Sequence, residues 1–308
     1  MMKKLLIIIA LFLPFFASAL TINALCVGGG GGGGGSNGSP SYAGAGGAGG
    51  YRSDTALTVV ADTEYTITIG AAGASGAAGN NMGTTGATTS MGTLFDCHGG
   101  GGGAYGNTTP SNVAGLQGGS GGGGAANSGA AGPAVGSPSQ GFDAGASATA
   151  QGGPGGGATE AGATDAARDG GDGTASSITG TSTTRAGGGA STDASGVGVM
   201  GAPCVLLADD SVEANSGCGA YGPRNGNAGV STGSGVYIIS YVSADYGSTT
   251  YTGSRVNQIS DGGNIVLEFR SSGTWTPVAL AVPAPPSTDQ LIIFGMIRLF
   301  YKKEIFTV

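Results

Sequence analysis

His98 is the only histidine of this 308-residue chain, and it directly follows Asp96 and Cys97. These three residue types can bind a transition metal or act together in nucleophilic catalysis. A zinc site normally combines several such ligands in a recognisable spacing, and the chain contains no C-x-x-C pair. A lone histidine without an activating neighbourhood also argues against a hydrolase. We therefore predict a non-enzymatic protein with no catalytic residue, no metal site and no cofactor.

The four cysteines, Cys26, Cys97, Cys204 and Cys218, suit a second kind of chemistry. An even number of cysteines in an exported chain permits two disulfides, in three alternative pairings. Cys204 and Cys218 close the shortest loop, so we predict that these two residues form a disulfide. Buried free thiols are the alternative interpretation.

Four tyrosines, Tyr42, Tyr51, Tyr105 and Tyr221, lie among glycines. Aromatic rings surrounded by small residues can stack on sugars, so these four are our candidates for a recognition surface. The alternative is that the rings only cover glycine backbone.

The chain that connects these residues has an unusual composition, because 68 of the 308 residues are glycine. Runs occupy residues 28–35, 99–103 and 118–124. Glycine loses much backbone entropy on ordering and has no side chain to bury, so such runs are either disordered or packed backbone against backbone. Polyproline-II-like helices, with three residues per turn and no internal hydrogen bonds, could satisfy their backbone groups by bonding to one another.

Charged residues make up only 9% of the chain, and the formal net charge is −7. A negative charge argues against binding to nucleic acid or to anionic lipid. The low charged fraction also differs from the composition of most disordered chains.

Both ends of the chain carry apolar segments. Lys3 and Lys4, an apolar run over residues 5–16 and Ala-Ser-Ala at 17–19 predict a signal peptide over residues 1–19. A buried helix or a membrane anchor is the alternative. Residues 282–303 loosely resemble a bacterial sorting signal, and an irregular terminus is the alternative there.

Period-two alternation of large residues predicts strands near the two ends of the mature chain. We expect strands over residues 20–27 and 236–242. We also expect one hairpin made of residues 55–60 and 64–69 and a second made of residues 264–270 and 274–282.

In order, the segments TINALCVGGGGGGGG (21–35), GGYRSDTALTVVADTEYTITIG (49–70), CHGGGGGAYG (97–106) and GSGVYIISY (233–241) resemble a known family. They are similar to the glycine-rich domain of phage tail-fibre and tail-tip receptor-binding adhesins and of related bacterial surface proteins. The resemblance implies packed polyglycine-II segments at 28–35, 99–103 and 118–124, with the Ala/Ser/Thr-rich stretches as loops. A signal peptide is a departure from a phage protein and favours an exported relative.

We therefore expect a mainly β fold with packed polyglycine-II-like segments, long Gly/Ala/Ser/Thr loops and little helix outside the signal peptide. The expected divisions are a signal peptide (1–19), a glycine-rich domain (20–242), a C-terminal β-hairpin segment (243–282) and a tail (283–308). The expected function is adhesion or receptor recognition by a secreted or cell-surface protein whose partner is a cell-surface protein or glycan. Homo-oligomerisation is left open, and a structural matrix or ice-interacting protein is the alternative function.

Overall fold

The computed structural model describes residues 19–108, 113–126, 131–133, 139–163, 168–204, 214–230, 232–254 and 256–280. The predicted signal peptide, apart from Ala19, and the predicted tail lie outside these residues. The described strands are β1 Ala19–Val27, β2 Ser36–Asn37, β3 Tyr51–Val60, β4 Tyr65–Thr68, β5 Thr89–Met91, β6 Phe95–Cys97, β7 Gly106–Asn107, β8 Thr174–Ser176, β9 Thr183–Arg185, β10 Val236–Val242, β11 Thr250–Tyr251, β12 Val256–Asp261, β13 Asn264–Phe269 and β14 Gly273–Thr276. Within the described ranges, one 3-10 turn over Ser243–Asp245 is the only helical element.

Two five-stranded sheets form one end of the molecule. The first has the order β12-β13-β10-β1-β3, and the second has the order β11-β14-β4-β5-β6. Every pairing within them is antiparallel. A shared core lies between the sheets, with Ile22, Tyr237 and Leu267 from the first packed with Ile67 and Trp275 from the second. A Cys26–Cys97 disulfide joins β1 to β6 across this core.

Neither predicted hairpin is correct. β3 pairs with β1 in the first sheet, whereas β4 pairs with β5 and β14 in the second. The turn at Asp62, which has a φ of 57°, is therefore a corner between the two sheets. In the same way, β13 pairs with β12 and β10, whereas β14 pairs with β4 and β11. The described part of the predicted C-terminal segment, residues 243–254 and 256–280, thus contributes strands to both sheets.

Beyond the sheets, the chain forms a bundle of extended glycine-rich segments, and β1 runs directly into the first of them, residues 28–35. In this central segment, N–H groups three residues apart donate to the same neighbour, which is the period of a three-residue-per-turn helix. Those of Gly28, Gly31 and Gly34 bond to the carbonyls of Gly50, Gly47 and Gly44 at 2.9, 2.9 and 3.0 Å. Those of Gly29, Gly32 and Gly35 bond to Ala87, Thr84 and Asn81 at 3.0, 3.0 and 2.7 Å.

The carbonyl groups of the central segment follow the same period in three other directions. Gly30 and Gly33 accept from Gly73 and Gly76, Gly29 and Gly32 accept from Gly100 and Gly103, and Gly31 accepts from Ala220. With the Gly30 N–H bonded to Gly233, the central segment contacts six neighbours. These neighbours are residues 43–50, 70–79, 81–88, 98–106, 214–223 and, with a gap at 231, 227–230 and 232–235. The predicted mainly β fold with packed polyglycine-II-like segments is confirmed.

The segments run up and down between the sheets and a second, opposite end, which we call the distal end. Their directions follow from the hydrogen bonds: Gly28 lies beside Gly50 next to the sheets, and Gly34 lies beside Gly44 far from them. The described segments are 28–35, 43–50, 70–79, 81–88, 98–106, 113–119, 120–126, 139–145, 151–158, 168–173, 186–192, 198–204, 214–223, 227–230 and 232–235. Consequently the connecting turns gather at the two ends of the bundle.

Candidate functional site: the distal face

The distal turns are drawn together around Ser36, where the central segment ends. The Ser36 N–H donates to Asn227 at 3.0 Å, and the Ser36 carbonyl accepts from the Gly79 N–H at 2.9 Å. Ser36 also pairs in parallel with Gly106, the first residue of β7. Three turns from distant parts of the sequence are thereby held beside residues 36–41.

A second group of turns lies beside the first. Tyr42 forms an isolated β-bridge with Arg224, and Gln151 forms one with Asp193. The Arg224 guanidinium donates through Nη1 to the carbonyls of Asp193 and Ala194, at 2.7 and 2.9 Å. We define the distal face as the described turn residues 36–41, 77–81, 106–108, 146–150, 192–197 and 223–227.

The sequence of these turns fits their backbone. Gly38, Gly79 and Gly226 have φ values of 75°, 104° and 80°, and Asn225 has a φ of 57°. Glycine adopts a positive φ without steric cost, and asparagine tolerates it better than other side chains. The Asn-Gly and Gly-Asn pairs therefore reverse the chain where the glycine-rich segments end.

Amide and hydroxyl groups dominate the distal face. Asn37 Nδ2 donates to Asn80 Oδ1 at 3.0 Å, and Ser39 Oγ donates to Asn225 Oδ1 at 3.2 Å. All four of these side chains are exposed. Each amide group carries both donors and an acceptor, so the pairs retain bonding capacity toward a ligand. Such a surface is suited to polar, uncharged partners.

The charged side chains of the distal face, Asp193 and Arg224, are bonded to other groups of the protein. Asp193 pairs with Arg168 Nη1 and also accepts from the N–H groups of Ser195 and Gly196, at 2.6 and 3.0 Å. Arg224 is bonded to backbone carbonyls of the same turn. These contacts fix the 192–197 turn against its neighbours.

The four tyrosines proposed for recognition do not lie together. Tyr42, Tyr105 and Tyr221 belong to segments that reach the distal end, where Tyr42 is buried and the other two are half-buried. Tyr51 is instead in β3, beside the sheets, with its hydroxyl bonded to Ser176 and close to Arg185. Burial raises the pKa of Tyr51. Of the four tyrosines, only Tyr105 and Tyr221 are therefore half-buried beside the distal face.

The Asp96-Cys97-His98 triplet lies at the sheet end. His98 Nε2 is 4.0 Å from Asp96 Oδ2, and Cys97 is bonded to Cys26. Cys204 forms a disulfide with Cys218, with their Cα atoms 5.8 Å apart. Among the residues whose positions are described, no group of three or more histidines, cysteines and carboxylates could hold a metal ion. The described residues also contain no helix that is long and apolar enough to cross a membrane.

Sequence reasoning missed the asparagines of the distal face. The available signal was their position, because Asn37, Asn80 and Asn225 each adjoin a glycine at a point where a glycine-rich segment stops. Asn-Gly and Gly-Asn pairs of this kind mark turns. What the sequence did not contain was the three-dimensional order of the segments, which decides which turns become neighbours.

The glycine-rich domain family model matches residues 13–242, and the chain belongs to this family. No curated protein and no solved structure matches the chain.

Proposed function

We propose that this glycine-rich domain protein is an exported, non-enzymatic surface protein that recognises a receptor through its distal face. The observation that carries the proposal is the convergence of turns from six parts of the sequence at one end of a densely bonded backbone bundle. Loops positioned by a rigid scaffold commonly carry binding function. A bundle that holds its loops in place also reduces the entropy lost when they bind.

The position of the distal face, at the end of the bundle opposite the sheets, supports recognition. The Tyr246 hydroxyl donates to the carbonyl of Thr21, near the start of β1, and Tyr246 bridges to Ala279, near the last described residue. The described chain therefore enters and leaves the fold at the sheet end. Attachment of either end to a larger assembly or a surface would leave the distal face pointing outward.

The chemistry of the distal face favours a neutral glycan over a charged partner. Exposed amide and hydroxyl groups at Asn37, Ser39, Asn80 and Asn225 can bond to sugar hydroxyls. The half-buried rings of Tyr105 and Tyr221 can add apolar contact to the face of a sugar. The resemblance to phage tail-fibre and tail-tip adhesins supports the same use of the turns.

Export is part of the proposal. The basic and apolar pattern of residues 1–19 and the two disulfides, Cys26–Cys97 and Cys204–Cys218, favour an oxidising compartment. Mass spectrometry of the mature protein should find an N-terminus near Leu20. An abundant mature form that retains Met1 would contradict export.

Binding of the purified protein to a printed array of neutral oligosaccharides tests recognition. The informative variant is Asn80→Asp with Asn225→Asp, because an aspartate keeps the acceptor oxygen used by Asn37 and Ser39 and adds a charge. The matched control is Asn257→Asp, the same chemical change on exposed β12 at the sheet end. We expect at least about tenfold weaker binding for the double variant, as expected when hydrogen bonds at the site are lost, and unchanged binding for the control.

Absence of binding to every oligosaccharide on the array would contradict glycan recognition. Binding that survives the double variant and fails in Asn257→Asp would place the site at the sheet end instead. The melting temperature of the double variant should equal that of wild type, because neither of its two substitutions removes a bond of the fold.

We also propose a second candidate function, which rests on the outer face formed by residues 70–88. Gly73 and Gly76 donate inward to the central segment, at 2.8 Å each. The Ala71 and Ala74 carbonyls accept from Ala87 and Thr84, at 2.9 and 2.8 Å. The exposed side chains that result are Ala71, Ala72, Ala74, Ala77, Ala78, Thr84, Thr85, Ala87 and Thr88. Residues 70–88 contain no charged side chain. At ~3.1 Å per residue, the three-residue turn of such a helix repeats about every 9 Å along the face.

A flat, uncharged Ala/Thr face with a regular repeat is suited to an ordered solid such as ice or a structural matrix. Ice binding is tested by thermal hysteresis of the purified protein, compared with Ala74→Lys on the outer face and Asn257→Lys at the sheet end. Hysteresis that is lost in the first variant and kept in the second would support this function. A protein without hysteresis, or one in which both variants behave alike, would contradict it.

A further inference from the structure

Arg185, the last residue of β9, is buried near the sheet end with one nitrogen unsatisfied. Only 6% of the residue is exposed. Its Nη2 lies 3.6 Å from Glu268 Oε1, whereas its buried Nη1 has no hydrogen-bond partner. Buried polar groups in native proteins are nearly always bonded, and an unsatisfied one calls for a partner such as an ion or ligand. The cost is larger for a charged group than for a neutral one.

The charges around Arg185 do not cancel. Arg270 Nη2 donates to both oxygens of Glu268, at 3.1 Å each, so one carboxylate serves two guanidinium groups. Burial lowers the pKa of Arg185, and the charge of Glu268 opposes that shift. With both arginines protonated, the three side chains carry one net positive charge. A monoanion would balance this charge.

A cavity of about 340 Å³ lies against these groups. Arg185, Arg270 and Glu268 line it together with Ser182, Thr183, Thr184, Pro203, Ala214, Asn215 and Ser216. The Cys204–Cys218 disulfide joins the two parts of the chain that supply Pro203 and Asn215. Small-molecule pockets begin at roughly 300 Å³, which suits a ligand the size of one sugar ring. The lining offers two cations, several hydroxyl-bearing residues and the amide of Asn215.

We propose that this cavity, the Arg185 pocket, binds a monosaccharide that carries a carboxylate, as in an acidic sugar. The carboxylate accepts from the half-exposed guanidinium of Arg270, whose side chain is 42% exposed. A small rotation of the buried Arg185 side chain, which also lines the cavity, brings its unsatisfied Nη1 donor to the same carboxylate. Arginine is well suited to such carboxylate recognition. Lining residues such as Thr183 and Asn215 offer polar groups to the sugar hydroxyls. This site is separate from the distal face and does not depend on it.

Isothermal titration of the full chain with glucuronate tests the proposal, with glucose and sulfate as comparison ligands. We expect glucuronate to bind, glucose to bind more weakly or not at all, and sulfate to compete with glucuronate. Arg270→Gln should weaken glucuronate binding at least about tenfold, because a charged hydrogen bond is lost. Arg52→Gln removes the same charge in β3, outside both the Arg185 pocket and the distal face, and should leave glucuronate binding unchanged.

Arg185→Lys provides a second variant that keeps the charge but loses the planar fork, and it should also weaken binding. If that variant fails to fold, Arg270→Gln alone decides, because its side chain is half-exposed. Absence of glucuronate binding, or binding that is equal in Arg270→Gln and wild type, would overturn the proposal. Sulfate binding without glucuronate binding would also overturn it and would assign the pocket to an inorganic anion only.

The chain itself supplies a rival anion, because Asp209, Asp210 and Glu213 lie between Cys204 and Asn215 in the sequence. The titration is therefore repeated in a variant with Asp209→Asn, Asp210→Asn and Glu213→Gln. Comparable glucuronate binding in wild type and this variant supports an external ligand. Binding that is seen only in the variant would overturn the proposal and assign the Arg185 charge to the protein's own carboxylates.

Discussion

The Tyr246 hydroxyl donates a hydrogen bond of 2.7 Å to the Thr21 carbonyl oxygen, which ties the end of the 3-10 turn to the first strand. Tyr237, in β10, is more deeply buried, and its hydroxyl has no hydrogen-bond partner. Two buried tyrosines of the same core therefore differ in one respect: one hydroxyl is satisfied and the other is not. The difference allows a paired test of the core.

Tyr246→Phe should lower the free energy of unfolding by about 1 kcal/mol, because it removes a net favourable hydrogen bond. Tyr237→Phe should leave it unchanged or slightly raised, since it removes a buried hydroxyl that no partner compensates. Urea unfolding at pH 7 measures both values. An equal loss in the two variants would show that the Tyr237 hydroxyl has a partner.

Stability should also fall at alkaline pH. Burial raises the pKa values of Tyr237 and Tyr246 above the ordinary tyrosine value, so the folded protein holds these protons more tightly than the unfolded chain does. The resulting stabilisation is fully present below pH ~10, the unfolded pKa, and is lost as the pH rises toward the folded values.

Each such tyrosine contributes a slope of up to about 1.4 kcal/mol per pH unit above pH ~10. Comparing urea unfolding at pH 8 and pH 11 should therefore show a smaller loss for Tyr237→Phe than for wild type. Identical losses would mean that Tyr237 does not titrate with a raised pKa.

The two disulfides should contribute unequally. Cys26–Cys97 spans 71 residues, and Cys204–Cys218 spans 14. Loop-closure entropy then predicts a loss of about 4 kcal/mol when Cys26 and Cys97 are both replaced by Ala, and about 3 kcal/mol for the Cys204 and Cys218 pair. Unfolding free energies of the two double variants measure the difference. A larger loss for the 14-residue loop would contradict the ranking.

A charged side chain placed in either of the two buried clusters that cover the faces of the first sheet should destabilise the fold. Ile67 lies in the core between the two sheets, and Ile238 lies on the other face of the first sheet, near Ala48 and Ala186. Ile67→Asp and Ile238→Asp should each cost several kcal/mol, roughly the sum of a lost aliphatic side chain and a buried charge. Leu94→Asp is the control, because Leu94 is 42% exposed. Melting temperatures that are unchanged in both isoleucine variants would contradict this packing.

Strands could be predicted from the sequence wherever large residues alternate, as in 20–27 and 236–242. Their partners could not, because the pairing of Leu25 with Ile238 joins residues more than two hundred positions apart and leaves no local signal. A short turn such as that at Asp62 fits both a hairpin and a corner between sheets. The distal face was missed for the same reason, since Asn37 and Asn80 meet only because their segments are neighbours in the bundle.

The packed state of the glycine segments is the central claim, because it positions every turn of the distal face. A Cβ atom on Gly31 would lie less than 3.0 Å from the backbone of Gly101, and one on Gly101 would lie equally close to the backbone of Leu116. Real Cβ atoms essentially never make such approaches. Alanine at either position must therefore push two segments apart.

The melting temperatures of Gly31→Ala and Gly101→Ala test this claim most directly, with Gly262→Asn as the control. Gly262 has a φ of 56° and open space around it, so asparagine should fit there. In the packed bundle, each alanine should cost about 1–3 kcal/mol, or at least about 2–4 °C. In a flexible linker, Gly→Ala would instead stabilise by about 0.4–1 kcal/mol. We predict lower melting temperatures for both alanine variants and an unchanged value for the control; alanine variants that melt at or above wild type would contradict the packed scaffold.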